Sequence, residues 1–278
     1  MYTLNCKGRL IPIDQPLVMG ILNITPDSFY AKSRRQEEDE ILSLAAQMTN
    51  EGAAILDIGG QSTRPGSVRI NTEEEIARVV PAIEIVIKTF PQSIISIDTY
   101  SSKVAEAAIQ AGASIVNDIS SGDMDNGMLQ TVAFHNVPYI CMHMLGTPDT
   151  MQQHAKYADV TKEVLDYLSA KIQQCKKAGI NDIIIDPGFG FGKTIQHNFT
   201  LLRFLSVFKI LQCPILAGLS RKSTIYKTLG ISADEALNGT TVLNTIALMN
   251  GANILRVHDV KAAKEAVDLF KAYNQKHN

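Results

Sequence analysis

One pattern, met eight times along the chain, limits the fold more than any other feature. A short apolar run ends in a polar residue, a loop follows, and an amphipathic stretch of helical period comes next. The runs end at Asn23, Asp57, Asp98, Asn117 with Asp118, His143, Asp186, Ser220 and Arg256, with His258 just beyond the last. Helical stretches are predicted over 36–51, 72–89, 101–111, 125–135, 159–178, 198–208, 232–250 and 259–274. Gly52-Ala53, Gly112-Ala113 and Gly251-Ala252 stand just before apolar runs, where a helix C-terminus takes a positive-φ residue. Strict alternation implies parallel strands. Eight units fit an α/β fold of the (β/α)8 TIM barrel type better than an open doubly wound sheet. Residues 2–13 precede the first unit and read as a short N-terminal β-hairpin with Lys7-Gly8 at its turn. No break in composition divides the chain, so residues 1–278 read as a single domain.

Charge and cysteine usage narrow the setting. The net charge of −2 gives no reason to expect nucleic acid or an anionic membrane as partner. No apolar stretch reaches the roughly 18 residues a membrane span needs. The first residues lack the apolar core of a signal peptide. Four scattered cysteines without a CxxC pair point to reduced thiols in a cytoplasmic protein, not to a zinc site.

In such barrels the chemistry sits at the C-terminal ends of the strands. There the most informative stretch is Asp186-Pro187-Gly188-Phe189-Gly190-Phe191-Gly192-Lys193. A buried carboxylate is followed by a loop whose glycines allow positive φ and close backbone approach. Two phenylalanines add flat apolar walls. This suits a planar heterocycle with hydrogen-bond donors on one edge, although a plain strand-to-helix turn uses similar residues. Two nucleotide motifs are excluded. A P-loop would need glycine where Pro187 stands, and a dinucleotide fingerprint would need it at Lys193.

Three further loops follow strand ends. Asn23-Ile24-Thr25-Pro26-Asp27-Ser28-Phe29 offers hard oxygen donors suited to Mg²⁺, which holds few protein ligands and keeps its waters. Gly59-Gly60-Gln61-Ser62-Thr63-Arg64-Pro65-Gly66 combines small residues, hydroxyls and a guanidinium fork, as a phosphate group needs. Ser220-Arg221-Lys222-Ser223 puts two positive charges at an expected helix start, after the seventh strand, where this fold often binds phosphate. Around the mouth, Asp186 can accept two parallel N–H bonds and Asn117 can donate and accept at once. Lys222 can donate to a ring atom, and Arg256 can stack on a ring. Asp98 can offset positive charge developing on it.

These segments, with Ile97-Asp98-Thr99, Asn117-Asp118-Ile119 and Arg256-Val257-His258-Asp259, resemble the motifs of dihydropteroate synthases, in family order from about residue 17 to 260. The resemblance implies a reaction. Para-aminobenzoate displaces pyrophosphate from 6-hydroxymethyl-7,8-dihydropterin pyrophosphate and gives 7,8-dihydropteroate, a folate precursor. It also implies roles. Asp98, Asn117, Met142, Asp186, Phe191, Gly218, Lys222 and Arg256 would hold the pterin. Asn23, Thr63, Arg64, Arg256 and His258 would hold the pyrophosphate, with Asn23 on Mg²⁺. Phe29, Thr63, Pro65, Phe191, Lys222 and Ser223 would surround para-aminobenzoate. Asp98, Lys222, Arg256, Asn23 and Arg64 would carry the chemistry. The family is the target of sulfonamides and is usually homodimeric.

The sequence departs from the family pattern in places. Tyr30-Ala31-Lys32-Ser33-Arg34-Arg35 is basic where a Ser-Asp-Gly-Gly-like segment is usual, Gln61 replaces a common Glu, and Leu145 a common Gln. Other readings are a methyltetrahydrofolate-type pterin methyltransferase barrel, a non-catalytic pterin-binding paralogue, and a Schiff-base aldolase using Lys222 or Lys193. The first has no use for a pyrophosphate site. The second would be expected to lose Asn23, Thr63 or Arg64, and all three are present.

Overall fold

The structure, a computed structural model, describes residues 2–24, 34–61, 69–148, 150–151 and 155–275. The expected ligands Phe29, Thr63, Arg64 and Pro65, and residues 30–33 of the basic run, lie outside them.

The chain opens with an antiparallel hairpin, β1 (Tyr2–Cys6) and β2 (Arg9–Ile13), in which Cys6 faces Arg9. Lys7 and Gly8 turn it with φ of 54° and 88°, as a two-residue hairpin loop requires. Eight parallel strands follow: β3 (Leu17–Asn23), β4 (Ile55–Gly59), β5 (Ile95–Asp98), β6 (Ile115–Asp118), β7 (Tyr139–Met142), β8 (Ile183–Asp186), β9 (Leu216–Ala217) and β10 (Ile254–Val257). Their order is β8-β7-β6-β5-β4-β3-β10-β9. A parallel bridge between Ile185 and Ile215 joins the two ends, with Ile185 N–H donating to the Pro214 carbonyl at 2.9 Å. The sheet is thus closed into the expected barrel.

The helices are α1 (Arg34–Asn50), α2 (Thr72–Thr89), α3 (Ser102–Ala111), α4 (Met128–His135), α5 (Val160–Ala178), α6 (Ile195–Arg203), α7 (Ser223–Leu229), α8 (Leu237–Met249) and α9 (Val260–Asn274). Two predicted stretches are corrected. The stretch 198–208 is α6, started three residues earlier by a Thr194–His197 capping box, and then a 3₁₀ turn over Leu205–Leu211. The stretch 232–250 is only α8; α7 precedes it and is stopped by Gly230 at φ 67°.

Strand pleating sorts side chains with period two. Val18, Leu56, Val116, Ile183, Ile185 and Leu255 join the sleeve between strands and helices. Met19, Ile55, Ile115, Ile140, Ile184, Leu216 and Ile254 form a separate inner cluster with Leu4, Cys6 and Ile13 of the hairpin. The hairpin therefore plugs the N-terminal end of the barrel. Two residues further along the same strands, on the same inward face, stand Asp57, Asn117, Met142, Asp186, Gly218 and Arg256. The pleat that fills the barrel floor also sets the residues of its mouth.

Candidate active site

Three of these inward residues, Asp57, Asn117 and Arg256, form one network with Asp98 at the end of β5. Arg256 Nε donates to Asp57 Oδ2 at 2.6 Å, and its Nη2 donates to Asp98 Oδ2 at 2.6 Å. Asn117 Nδ2 donates to the same Asp57 oxygen at 3.0 Å. Burial works against the Arg256 charge, but Asp57 and Asp98 more than offset it, so the guanidinium stays protonated. Burial pushes the Asp98 carboxyl up, to about 7, against the opposing pull of Arg256. Two edge nitrogens of Arg256 are thus committed to carboxylates, which fixes the plane that a ring could stack on. One amide hydrogen of Asn117 is likewise committed. Its carbonyl oxygen and other hydrogen remain to pair with a ligand edge.

Asp57 was expected only as one polar strand end among eight, not as a ligand. It is fully buried, binds two expected pterin-holding residues, and its Oδ1 has no partner among the described residues. Its signal in the sequence was its place in the inward series of alternate residues. Its partner Arg256 lies 199 positions away, beyond the reach of a local pattern.

Opposite this network stand Asp186 and Lys222. Asp186 Oδ1 accepts from Gly188 N–H at 2.7 Å. Burial raises its pKa, while Lys222, the Gly188 N–H, Lys193 and Arg256 oppose the rise. Burial pushes Lys222 down to about 8, with Asp186 opposing. A Cβ at Gly218 would lie 3.7 Å from Lys222 Nζ and 3.9 Å from Asp186 Oδ2, so its absence leaves a flat floor between the two charges. Lys222 Nζ donates to the Phe189 carbonyl and sits 4.7 Å from the centre of the Phe191 ring. Phe191 packs in turn against a small cluster that includes Met142, Met144 and Ile119. The mouth thus has a polar half, an apolar half and cations at both rims.

Other polar strand ends serve the scaffold. Asp118 accepts from Ser120 N–H and Oγ–H, Gly122 N–H and the Tyr139 hydroxyl at 2.7–2.8 Å. Ser220 Oγ lies 3.0 Å from His258 Nδ1 and accepts from the His258 N–H, which ties the loops after β9 and β10 together. The expected anion role of Arg221 is corrected. Its Nε and Nη2 each donate to Asp259 at 2.8 Å, and its Nη1 donates to the Asp234 carbonyl at 3.0 Å. Ser223 opens α7 beside Lys222.

At the end of β3, Asn23 is exposed. Its Oδ1 lies 3.6 Å, and the Asp98 Oδ2 3.7 Å, from the position a Gly59 Cβ would take. The Asn23 amide oxygen is a hard donor, which fits an ion that takes few protein ligands, while the neighbouring Asp98 oxygen already accepts from Arg256. Of the departures, Gln61 donates through Nε2 to the Tyr100 hydroxyl at 2.7 Å. Leu145 lies directly against Gly192.

Residues 19–258 match a family model described as "Pterin binding enzyme". The dihydropteroate synthase of Escherichia coli K12 is 42% identical over 268 residues, covering 96% of this chain and 94% of its own length. The chain belongs to the dihydropteroate synthase family. Among solved dihydropteroate synthases, that of Yersinia pestis with a sulfonamide drug superposes with a TM-score of 0.92 at 38% identity, covering 98% of this chain and 99% of that one. The Xanthomonas albilineans enzyme with 4-aminobenzoic acid gives 0.91 at 38%, covering 98% and 97%. Membership in the dihydropteroate synthase family agrees with the closed barrel and with the order of the motifs along it.

Proposed function

We infer that the chain is a transferase that joins 6-hydroxymethyl-7,8-dihydropterin pyrophosphate to para-aminobenzoate, releasing pyrophosphate and 7,8-dihydropteroate in folate synthesis. The observation that carries this reading is the pairing, across one barrel mouth, of the Asp57–Arg256–Asp98–Asn117 network with Asp186 and Lys222. In the proposed complex, the Asp186 carboxylate accepts the pterin ring N–H and the adjacent amino N–H in parallel. Asn117 pairs a further part of the ring edge, and Lys222 donates to a ring atom. The ring lies over Gly218 and beneath the Arg256 plane, with Met142 and Phe191 as apolar walls.

Cleavage sends the C–O bond pair away with pyrophosphate and leaves a pterin-methyl cation, which the ring delocalises and Asp98 offsets. The lone pair of the para-aminobenzoate amine then forms the new C–N bond, and the anilinium proton passes to solvent. The amine is neutral near pH 7, so no strong general base is needed. Thr63, Arg64, Arg256 and His258 would hold the departing pyrophosphate. Phe29, Thr63, Pro65, Phe191, Lys222 and Ser223 would seat the second substrate. Asn23 would hold Mg²⁺, which when bound supplies positive charge against the pyrophosphate oxygens. Sulfonamides, imitating para-aminobenzoate, would compete at the same seat.

We also propose a homodimer formed through the late helices. Val242, Ile246 and Met249 make an apolar stripe on α8, exposed by 49, 39 and 54%, and Leu269 and Tyr273 extend it onto the adjoining α9. A second copy is the occupant that a self-complementary stripe favours. A cytoplasmic setting is supported by four free, buried cysteines. Among the described residues no helix is long and apolar enough to cross a membrane.

The test is release of pyrophosphate from the dihydropterin pyrophosphate with Mg²⁺, with and without para-aminobenzoate. Release that depends on the amine, with dihydropteroate as product, is expected. Pterin binding without release under any condition would favour a non-catalytic paralogue instead.

A further inference from the structure

Behind the mouth lies a second buried lysine that the reaction above does not use. Lys193 is only 3% exposed, yet no carboxylate lies within salt-bridge distance of it among the described residues. Its Nζ is enclosed by four acceptors: the carbonyls of Gly188 at 2.9 Å, Phe191 at 3.0 Å and His143 at 3.2 Å, and His143 Nδ1 at 2.8 Å. So enclosed, the amine offers no approach to an aldehyde, which disposes of it as a Schiff-base nucleophile. Burial pushes the Lys193 amine well below its usual value and Lys222 adds to this, with the charge of Asp186 opposing, so a buried lysine here is costly and its place needs a reason.

The acceptors supply one. Two belong to the glycine loop and two to His143 at the end of β7, so the ammonium is the point about which the loop is wound. The carbonyls it gathers flank Phe189, whose own carbonyl takes Lys222 Nζ, and include that of Phe191, whose ring Lys222 faces. From outside, the Tyr157 hydroxyl donates to the Gly192 carbonyl at 2.9 Å. The loop backbone presses against the end of β7 here, since a Cβ at Gly188 would fall on the His143 carbonyl. His143 is kept neutral by burial and by Lys193, pushed down to about 3, so its Nδ1 is an acceptor for the ammonium.

We propose that Lys193 is a positioning residue for the condensation: its Nζ winds the glycine loop so that Phe191 and the Phe189 carbonyl meet Lys222, and its charge stands behind Asp186. The inference rests on the reading of the site given above. The groups bearing on Asp186 are Lys222 after β9, Arg256 on β10, Lys193 and the Gly188 N–H in the loop, and beyond Arg256 the carboxylates Asp57 and Asp98; His143 on the β7 side is neutral. Asp186 must be ionised to accept the pterin N–H bonds. Removing one of its cations moves the acid loss of pterin binding to higher pH.

The experiment compares the native chain with Lys193→Met and Lys193→Gln. It measures steady-state kinetics with para-aminobenzoate varied, and calorimetric binding of a pterin without phosphates across pH. In Lys193→Met the KM for para-aminobenzoate is expected to rise about tenfold or more, the effect of losing roughly 1.4 kcal/mol of binding, while kcat changes less. The acid limb of pterin binding should move upward in both variants. In a Phe191→Ala background Lys193→Met should add little to KM, because the two act through one ring. A merely structural lysine would lower the active fraction, reducing kcat at unchanged KM with the acid limb in place, and that result overturns the proposal. If Lys193→Met does not fold, Lys193→Gln, which keeps two donors without the charge, decides by its acid limb alone: a shift supports the proposal and none overturns it. Failure of the native chain to condense the two substrates would instead sink the functional reading.

Discussion

Asp57 receives two donors from distant parts of the chain, and both belong to residues that face the mouth. Replacing it with alanine leaves the Arg256 edge half-paired and frees the Asn117 amide. Asp57→Ala is expected to cost about 2–3 kcal/mol of stability, the scale of losing hydrogen bonds to charged groups. It should also weaken binding of a phosphate-free pterin. A urea midpoint equal to that of the native chain would show that the network contributes nothing to the fold. Lys222 makes a separate prediction. Burial lowers it to about 8, so it is charged below that pH and loses its proton as the pH rises through it. The kcat/KM for condensation should therefore fall across an alkaline limb near 8, and Lys222→Arg should remove that limb. A native profile flat through the alkaline range would mean that the Lys222 charge is not needed.

At the scale of elements, the glycine loop after β8 and the short α7 after β9 are made differently. Gly188, at φ 72°, has both a left-handed backbone and no room for a Cβ, whereas Gly230 at the end of α7 is left-handed in open space. Gly230→Ala should cost about 1–2 kcal/mol, the conformational penalty alone. Gly188→Ala should cost more, and it should abolish pterin binding by opening the loop around Lys193. Equal melting temperatures for the two variants would refute the steric half of this account. The same two elements mark what the sequence could and could not tell. The loop announced itself through alternating Gly and Phe, and α2 was legible to its ends because Asn71 caps a long amphipathic run. The start of α7 was legible at Ser220-Arg221-Lys222-Ser223, but its extent was not, since seven residues give too few turns for a period. Nor was the diversion of Arg221 to Asp259, which depends on how two loops meet in space. Among the inward residues, Asn117, Met142, Asp186, Gly218 and Arg256 could be named beforehand. Asp57 could not be singled out, because pairing across the barrel has no local trace.

For the whole molecule, the exposed residues on α8 and α9 lie on the solvent side of the helices and are not among those that face the mouth. A charge placed on them should therefore separate the copies without touching the chemistry. Val242→Glu with Ile246→Glu is expected to shift sedimentation from dimer to monomer, with the KM values for both substrates within about twofold of native, or roughly 0.4 kcal/mol. A double variant that still sediments as a dimer would place the interface elsewhere.

The hairpin at the opposite end carries a different implication. Residues 2–13 are made before the barrel strands, yet Leu4, Cys6 and Ile13 pack against Met19, Ile115, Ile184, Leu216 and Ile254, which are drawn from strands spread along the chain. Their seat is complete only when β10 has been made and the sheet has closed. Synthesis and assembly thus run in opposite order here: the hairpin waits with its apolar face uncovered until β10 arrives, and the closing of the barrel is what finally shelters it.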